Sequence, residues 1–322
     1  MSLERGRFAP SPSGPLHFGS LIAALGSFLA VRSQGGQWLV RIEDVDTPRS
    51  VPGAAEGILR VLERFGLTWD GTVVYQSQRT DYYQAALEHL EAAGLVYPCT
   101  CSRREIAQQS GGATGELIYP GTCRDGLSQT GRTPAIRIRT DAHPIRLVDR
   151  IQGVYQHCLE SQVGDFVVRR ADGLFAYHLA AVVDDATQQI TQVVRGSDLL
   201  SSTPRQIYLQ QCLGLPTPSY SHLPIAVDRQ GNKLSKQTQA LPLNERHPVF
   251  ELFAALEFLD QRPPAELLRS TPAILIDWAL AHWRPERIKA FSSKPWLASP
   301  CLHTDRSLHH HEEKASSLSG LG

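Results

Sequence analysis

The 322-residue sequence has no apolar run approaching the roughly 18 to 20 residues needed to cross a bilayer, and its start, MSLERGRFAP, lacks the apolar core of a secretion signal. A cytoplasmic protein is expected from these two absences. The chain also lacks net charge, with 32 Lys and Arg against 32 Asp and Glu, so any contact with nucleic acid has to come from a local basic patch rather than from the field of the whole molecule. The six cysteines (Cys99, Cys101, Cys123, Cys158, Cys212 and Cys301) are too few and too unevenly spaced for a disulfide framework. No internal repeat is present, which excludes a solenoid. The length nevertheless suffices for a large core, arranged as one elaborate domain or two to three sub-domains.

Within these bounds the chain reads as α/β. A short buried strand at 7–10 leads through a Gly/Pro turn at 13–19 into an apolar helical stretch at 20–32 (SLIAALGSFLAVR), the opening of a Rossmann-like unit. A second strand at 38–42 ends in Glu43, Asp44 and Asp46. Helical periodicity follows at 51–65 and 81–93, with Gly66 and Gly94 as C-caps. Strands and helices in alternation argue for a parallel sheet. From 97 to 164 the character changes to cysteine, glycine, proline and short alternating strands (135–139, 144–149), an insertion that splits the core. Strands at 166–169, 173–177 and 190–195 and a helix at 203–214 complete it, and helices at 249–259 and 273–282 form a small C-terminal part. The division is therefore 1–96 first half of the core, 97–164 insertion, 165–240 second half, 241–300 helical region, and 301–322 a polar tail expected to be disordered.

Two segments far apart in sequence make sense together, residues 7–20 (RFAPSPSGPLHFGS) and 233–237 (KLSKQ). Gly14 and Gly19 let backbone approach a nucleotide, His17 can donate to phosphate oxygens, and the helix beginning near Ser20 offers free N–H groups and a positive dipole end. Lys233 and Lys236, in a loop opened by Gly231 and Asn232, can hold a departing pyrophosphate. Such a pair suits activation of a carboxylate by ATP, where the protein supplies alignment and charge rather than a nucleophile. Either segment alone is an ordinary βα turn or a solvated loop.

RFAPSPSGPLHFGS resembles the HIGH region of class I aminoacyl-tRNA synthetases in its glutamate and glutamine form, and KLSKQ is similar to their KMSKS loop. RIEDVDTPRS (41–50), DFVVRRADGLFAYHLAAVVDD and VVRGSDLLSSTPRQ (within 165–206) resemble further blocks of glutamyl-tRNA synthetases. The resemblance covers about residues 7–240. Leu234 and Gln237 stand where the KMSKS pattern has Met and Ser, and both lysines remain. A large anticodon-binding region is missing, so the likeness is greatest to the shortened branch of the family, the glutamyl-Q tRNA(Asp) synthetases.

That resemblance implies a class I Rossmann-type core split by a zinc-containing insertion. It also implies ATP with Mg²⁺ and L-glutamate as substrates, tRNA(Asp) carrying queuosine as acceptor, and a monomer. It assigns Arg7, Ala9, Ser11, Glu43, Tyr177 and Arg195 to glutamate, Pro10, Gly14, His17, Gly19, Ser20 and Lys236 to ATP, and catalysis to His17, Lys233 and Lys236. Two guanidiniums and one carboxylate complement an amino diacid. The other use of Arg7 and Arg195 is a structural ion pair with Glu43 or Asp198. Rival functions are a truncated glutamyl-tRNA synthetase that charges a tRNA 3′ end and a non-catalytic glutamate or nucleotide sensor.

Cys99, Cys101 and Cys123 cluster as three thiolates suited to structural zinc. The resemblance points to Tyr119 as fourth ligand, and Cys158 and His143 are alternatives. Arg103, Arg104, Arg132, Arg137, Arg139, Arg284, Arg287, Lys289 and Lys294 are a possible basic patch for tRNA, with Trp283 and Trp296 as possible stacking platforms.

Overall fold

Strand β1 (Arg5–Phe8) has neighbours on both sides and buries Gly6, Arg7 and Phe8. It pairs in parallel with β2 (Gln37–Ile42), Arg7 opposite Leu39, and on its other edge with the late strand β9 (Gln192–Gly196). The computed structural model describes residues 3–109, 117–228, 231, 233, 241–290 and 293–295. Leu234, Lys236, Gln237, Trp296, Cys301 and the tail read at 301–322 lie outside them. None of the described helices is long and apolar enough to cross a membrane.

In chain order the elements are α1 (Phe18–Arg32), α2 (Ala54–Arg64), β3 (Val74–Tyr75), α3 (Thr80–Ala92), β4 (Val96–Cys99) and α4 (Arg103–Gln109), then β5 (Ala135–Ile138), β6 (Pro144–Asp149), β7 (Gly153–Cys158), α5 (Leu159–Gln162) and β8 (Phe166–Arg169). They continue as α6 (Tyr177–Thr187), β9 (Gln192–Gly196), α7 (Thr203–Cys212), β10 (Ser219–Leu223), β11 (Ile225–Val227), α8 (Pro248–Phe258), α9 (Pro272–His282) and β12 (Ser293–Pro295). Five parallel strands lie in the order β10-β9-β1-β2-β3. The chain runs from β1 outward in both directions, so a switch point opens between β1 and β9, where such sheets take their ligands at the carboxyl ends of the strands.

Helix α1 is apolar nearly all round because it is covered on nearly all sides, by the sheet below and α8 and α9 above. Leu25 and Leu29 are fully buried, each contributing about 1.5–3 kcal/mol. Gly6 is what lets it sit so low, since a Cβ there would meet Val31 Cγ2 at 2.4 Å. α2, α8 and α9 share this cluster, so the C-terminal helices are continuous with the core of the first half. On the opposite face α3, α6 and α7 form a second cluster with Ile138, Ile145, Leu147, Phe166 and Val168 of the inserted segment. The C-caps of α2 and α3 are Phe65 and Ala93, and the glycines expected there, Gly66 and Gly94, take the next position at φ 74° and 68°, where the left-handed turn ends the helix.

The inserted segment builds an antiparallel sheet β4-β5-β8 and a hairpin β6–β7. Its sheet reaches past residue 164, because Phe166–Arg169 hydrogen-bonds to β5 and not to the central sheet. The strand read at 173–177 is corrected. Asp172 and Gly173 (φ 90°) make a turn closed by Arg170 N–H on Leu174 O, only a single bridge joins Phe175 to Arg169, and Tyr177 already opens α6.

Candidate functional site

A cleft of about 980 Å³ opens at the carboxyl ends of β1, β2, β9 and β10. Arg7, Ala9, Pro10, Ser11, His17, Gly19, Ser20, Glu43, Tyr177, Arg195 and Lys233 all line it. Of the positions singled out from sequence for this site, Gly14 is not among the lining residues and Lys236 lies outside the described ones. Gly14 holds the turn at φ 135°, a conformation side chains rarely adopt.

One end of the cleft is built by the turn into α1. His17 is the N-cap: its Nδ1 accepts from Ser20 N–H at 3.4 Å, so a neutral ring carries its proton on Nε2. No acidic residue occupies the first helical turn, leaving its positive end uncompensated. Glu43 N–H on Pro10 O ties the turn to the end of β2, and Val51 N–H on Pro12 O ties it to the segment before α2. Leu243 N–H on Leu16 O, beside the His17 to Pro242 bridge, brings the chain beyond the lysine loop back to it. Lys233 reaches the rim from the bridge to Val227 and pairs with Asp198 (Nζ to Oδ2 2.5 Å).

The other end is a buried polar cluster. Arg7 gives Nε and Nη2 to Asp185 of α6 at 3.1 and 3.4 Å. Arg41, fully buried, spans Asp185 (2.8 Å) and Glu43 (3.1 Å) and stands 3.9 Å from Asp184. Asp184 in turn accepts from Gln76, Arg79 and Tyr83. Burial pushes the Glu43 carboxyl up, more than Arg41 and Arg7 pull it down. For Asp185 the balance is reversed: burial opposes ionisation, but Arg7 and Arg41 hold it below the usual carboxylate range. Arg195 has only neutral partners among the described residues: His222 Nε2 (3.1 Å), Thr203 Oγ1 (2.8 Å), Leu199 O and the Tyr177 hydroxyl (both 3.4 Å).

The ion pairs read from sequence are thereby corrected. Arg7 pairs with Asp185, because both lie on the α6 side of the sheet, while Glu43 goes to Arg41 and Asp198 to Lys233. Arg41, Asp184, Asp185, His222 and Thr203 were not singled out. Two acids closing the apolar run AAVVDD were a signal for the aspartates, since acids at the end of a buried face need cationic partners. For His222 no local signal exists.

In the inserted segment the Sγ atoms of Cys99, Cys101 and Cys123 lie within 4.8 Å of one another. The Tyr119 hydroxyl is 3.3 Å from Cys99 Sγ and 3.8 Å from Cys101 Sγ and accepts from Cys123 N–H at 2.9 Å. Cys101 Sγ and Cys123 Sγ are 3.5 Å apart, near the roughly 3.5–3.8 Å edge of a tetrahedron around zinc, so the three thiols could hold a metal ion. Cys158 meets Ala142 O instead, and His143 is 92% exposed beside Asp141, so neither belongs to the cluster. Burial opposes the Cys123 thiolate, yet hydrogen bonds from Ser128 and Thr100 bring its thiol down to about 6. Burial pushes the Tyr119 phenol up, so only a bound cation would take its proton off. Arg137 stacks on the Tyr119 ring (3.9 Å) and donates to Cys99 (3.2 Å); it is buried here and drops out of the basic patch, as does Trp283 from the stacking platforms.

Residues 5–247 match the model of the tRNA synthetases class I (E and Q), catalytic domain. Fold, cleft and match thus agree on a class I synthetase catalytic domain. The chain is 58% identical over 281 residues to a protein of Dechloromonas aromatica (strain RCB) named glutamyl-Q tRNA(Asp) synthetase, covering 87% of this chain and 93% of that one. It is 55% identical over 295 residues to the protein of that name from Thiobacillus denitrificans, 92% and 97% being covered. The crystal structure of glutamate-tRNA synthetase from Elizabethkingia anophelis shares the fold, with a TM-score of 0.76 and 24% identity over 97% of this chain and 74% of that one. The chain belongs to the glutamyl-Q tRNA(Asp) synthetase family.

Proposed function

We propose that the protein activates L-glutamate with ATP, without needing tRNA, and transfers it to the cyclopentenediol of queuosine at the wobble position of tRNA(Asp). The observation that carries this reading is that one cleft holds both halves of the required chemistry: a helix N-terminus with His17 and Lys233 at one end, and Arg7, Glu43, Tyr177 and Arg195 at the other. In a family of this name that pairing fits glutamate beside a triphosphate.

In the first step an oxygen of the glutamate α-carboxylate attacks the α-phosphorus, the bond to the bridging oxygen breaks, and pyrophosphate leaves. Arg7 and Arg195 take the carboxylates and Glu43 the ammonium. Ala9 and Ser11 shape the wall, while Pro10, Gly14, Gly19 and Ser20 bring backbone to the nucleotide. His17 Nε2–H and Lys233 donate to phosphate oxygens as charge moves onto pyrophosphate, Lys233 exchanging Asp198 for phosphate; Lys236 is assigned to the same task. Donors that tighten as charge develops raise the rate rather than merely binding substrate. Mg²⁺ on the ATP phosphates supplies further positive charge to the departing group. In the second step a cyclopentenediol hydroxyl attacks the glutamyl carbonyl, loses its proton, and AMP leaves.

Cys99, Cys101, Tyr119 and Cys123 would hold one structural zinc, fixing a segment with little apolar core of its own. A monomer is proposed on the family resemblance alone, and a tRNA substrate supports a cytoplasmic location. The test is incubation with ATP, labelled glutamate and tRNA(Asp) with and without queuosine. Label dependent on queuosine is expected. Label on the terminal adenosine would establish 3′-end charging instead, and no glutamate-dependent ATP–pyrophosphate exchange would leave only a sensor.

A further inference from the structure

Arg195 is held from behind by a device anchored in the inserted hairpin. Its Nε–H donates to His222 Nε2 at 3.1 Å, which makes that nitrogen an acceptor and places the imidazole proton on Nδ1. Nδ1 lies 2.6 Å from Asp149 Oδ2, and both side chains are fully buried. The other oxygen of Asp149 accepts three backbone N–H groups, from Ile151, Gln152 and His222 itself, at 2.8–3.1 Å. The carboxylate is thus fixed in orientation by the turn between β6 and β7. The Tyr220 ring stacks nearly parallel on His222, 6.1 Å away and 6° tilted, and Thr203 Oγ1 stands 3.1 Å from Nε2. Burial and Arg195 both hold the imidazole below its ordinary value, against the pull of Asp149.

The geometry serves one end. The Nε and Nη2 positions of Arg195 are occupied on the protein side, by His222 and by Thr203 and Leu199. The Nη1 position makes the long 3.4 Å contact to the Tyr177 hydroxyl, and both residues line the cleft. A guanidinium with four further rotatable bonds would otherwise have to be ordered by the ligand.

We propose that Asp149 and His222 are positioning residues for Arg195, setting its guanidinium plane so that the Nη1 edge meets a substrate carboxylate. The proposal rests on the reading of the cleft as a glutamate site. It makes a turn of the inserted segment part of amino-acid recognition, although neither residue touches the substrate.

The test is steady-state ATP–pyrophosphate exchange in the full chain. His222→Asn keeps a donor to Asp149 and removes the acceptor from Arg195. Asp149→Asn is nearly isosteric. Its oxygen belongs beside the three backbone N–H groups, so its amide faces His222 Nδ1 and drives the imidazole proton to Nε2, against Arg195 Nε–H. Each substitution is expected to raise KM for glutamate about tenfold, the usual loss for a hydrogen bond to a charged group, with kcat and KM for ATP within about twofold. In an Arg195→Lys background, which has no Nε–H, His222→Asn should change KM for glutamate less than about twofold. Equal losses in both backgrounds, losses that track the folded fraction, or unchanged KM in both single variants would overturn the proposal while leaving the activity intact. Absence of glutamate-dependent exchange in the unaltered chain would remove the activity and this relay together. The two substitutions sit on different elements, so misfolding of one leaves the other to decide.

Discussion

Glu43 carries opposed demands: burial favours its neutral form, whereas an ammonium ligand requires the carboxylate. As pH falls it takes up a proton sooner than an ordinary glutamate, near 4.3, would. KM for glutamate is therefore expected to climb on acidification from a higher pH than an exposed carboxylate would give. Glu43→Gln should raise KM about tenfold or more at neutral pH and flatten that limb, and pH profiles of exchange check both. Asp185 is different, because it holds Arg7 and Arg41 at once. Asp185→Ala leaves two buried guanidiniums undercompensated and should cost about 3–5 kcal/mol in denaturant unfolding; a loss below 1 kcal/mol would show that the cluster relaxes.

The residues proposed to touch substrate were legible as motif positions, and Arg7, His17, Glu43, Tyr177 and Arg195 all reach one cleft. Their partners were not. Arg7 and Asp185 are separated by 178 positions and His222 and Asp149 by 73, and no periodicity encodes which buried acid meets which buried base.

At the scale of elements, helices with a single apolar face and a glycine stop came out within a few residues, as α2 and α3 show. The stretch at 173–177 failed because aromatic and apolar residues around a turn imitate a strand. Strand β8 had a clear pattern, but pattern does not say which sheet a strand joins. In the inserted segment, Gly164 (φ 71°) packs so tightly that a Cβ would come within 2.1 Å of Tyr119 O. Gly164→Ala should displace Tyr119 from the three cysteines and lower thermal stability by about 1–3 kcal/mol. Cys101→Ser should lower both melting temperature and bound zinc, measured by elemental analysis; one zinc per unaltered chain is expected. A metal-free chain with an unchanged melting curve would refute the zinc assignment.

Across the whole molecule one buried carboxylate beside the inserted sheet, Asp165, and one in the core, Asp185, answer to pH in the same direction. Asp165 resists ionisation through burial, but Arg124, Tyr97 and Thr140 together hold its carboxyl low. A depressed carboxyl stabilises the fold above its unfolded value and withdraws that support as pH falls, so Asp165 and Asp185 predict stability lost progressively below about pH 5. Asp165→Asn should shallow that decline in acid titration of the circular dichroism signal.

The position of β1 has a further consequence, for synthesis. Strand β1 occupies the middle of the sheet and leaves the ribosome well before β9, since the Arg5 N–H finds Thr191 only 186 residues later. At about 5–20 residues per second, one flank of that strand waits roughly 10 to 40 s for its neighbour. During that interval an unpaired strand edge stands open to any other nascent chain, and translation speed through the inserted segment sets how long.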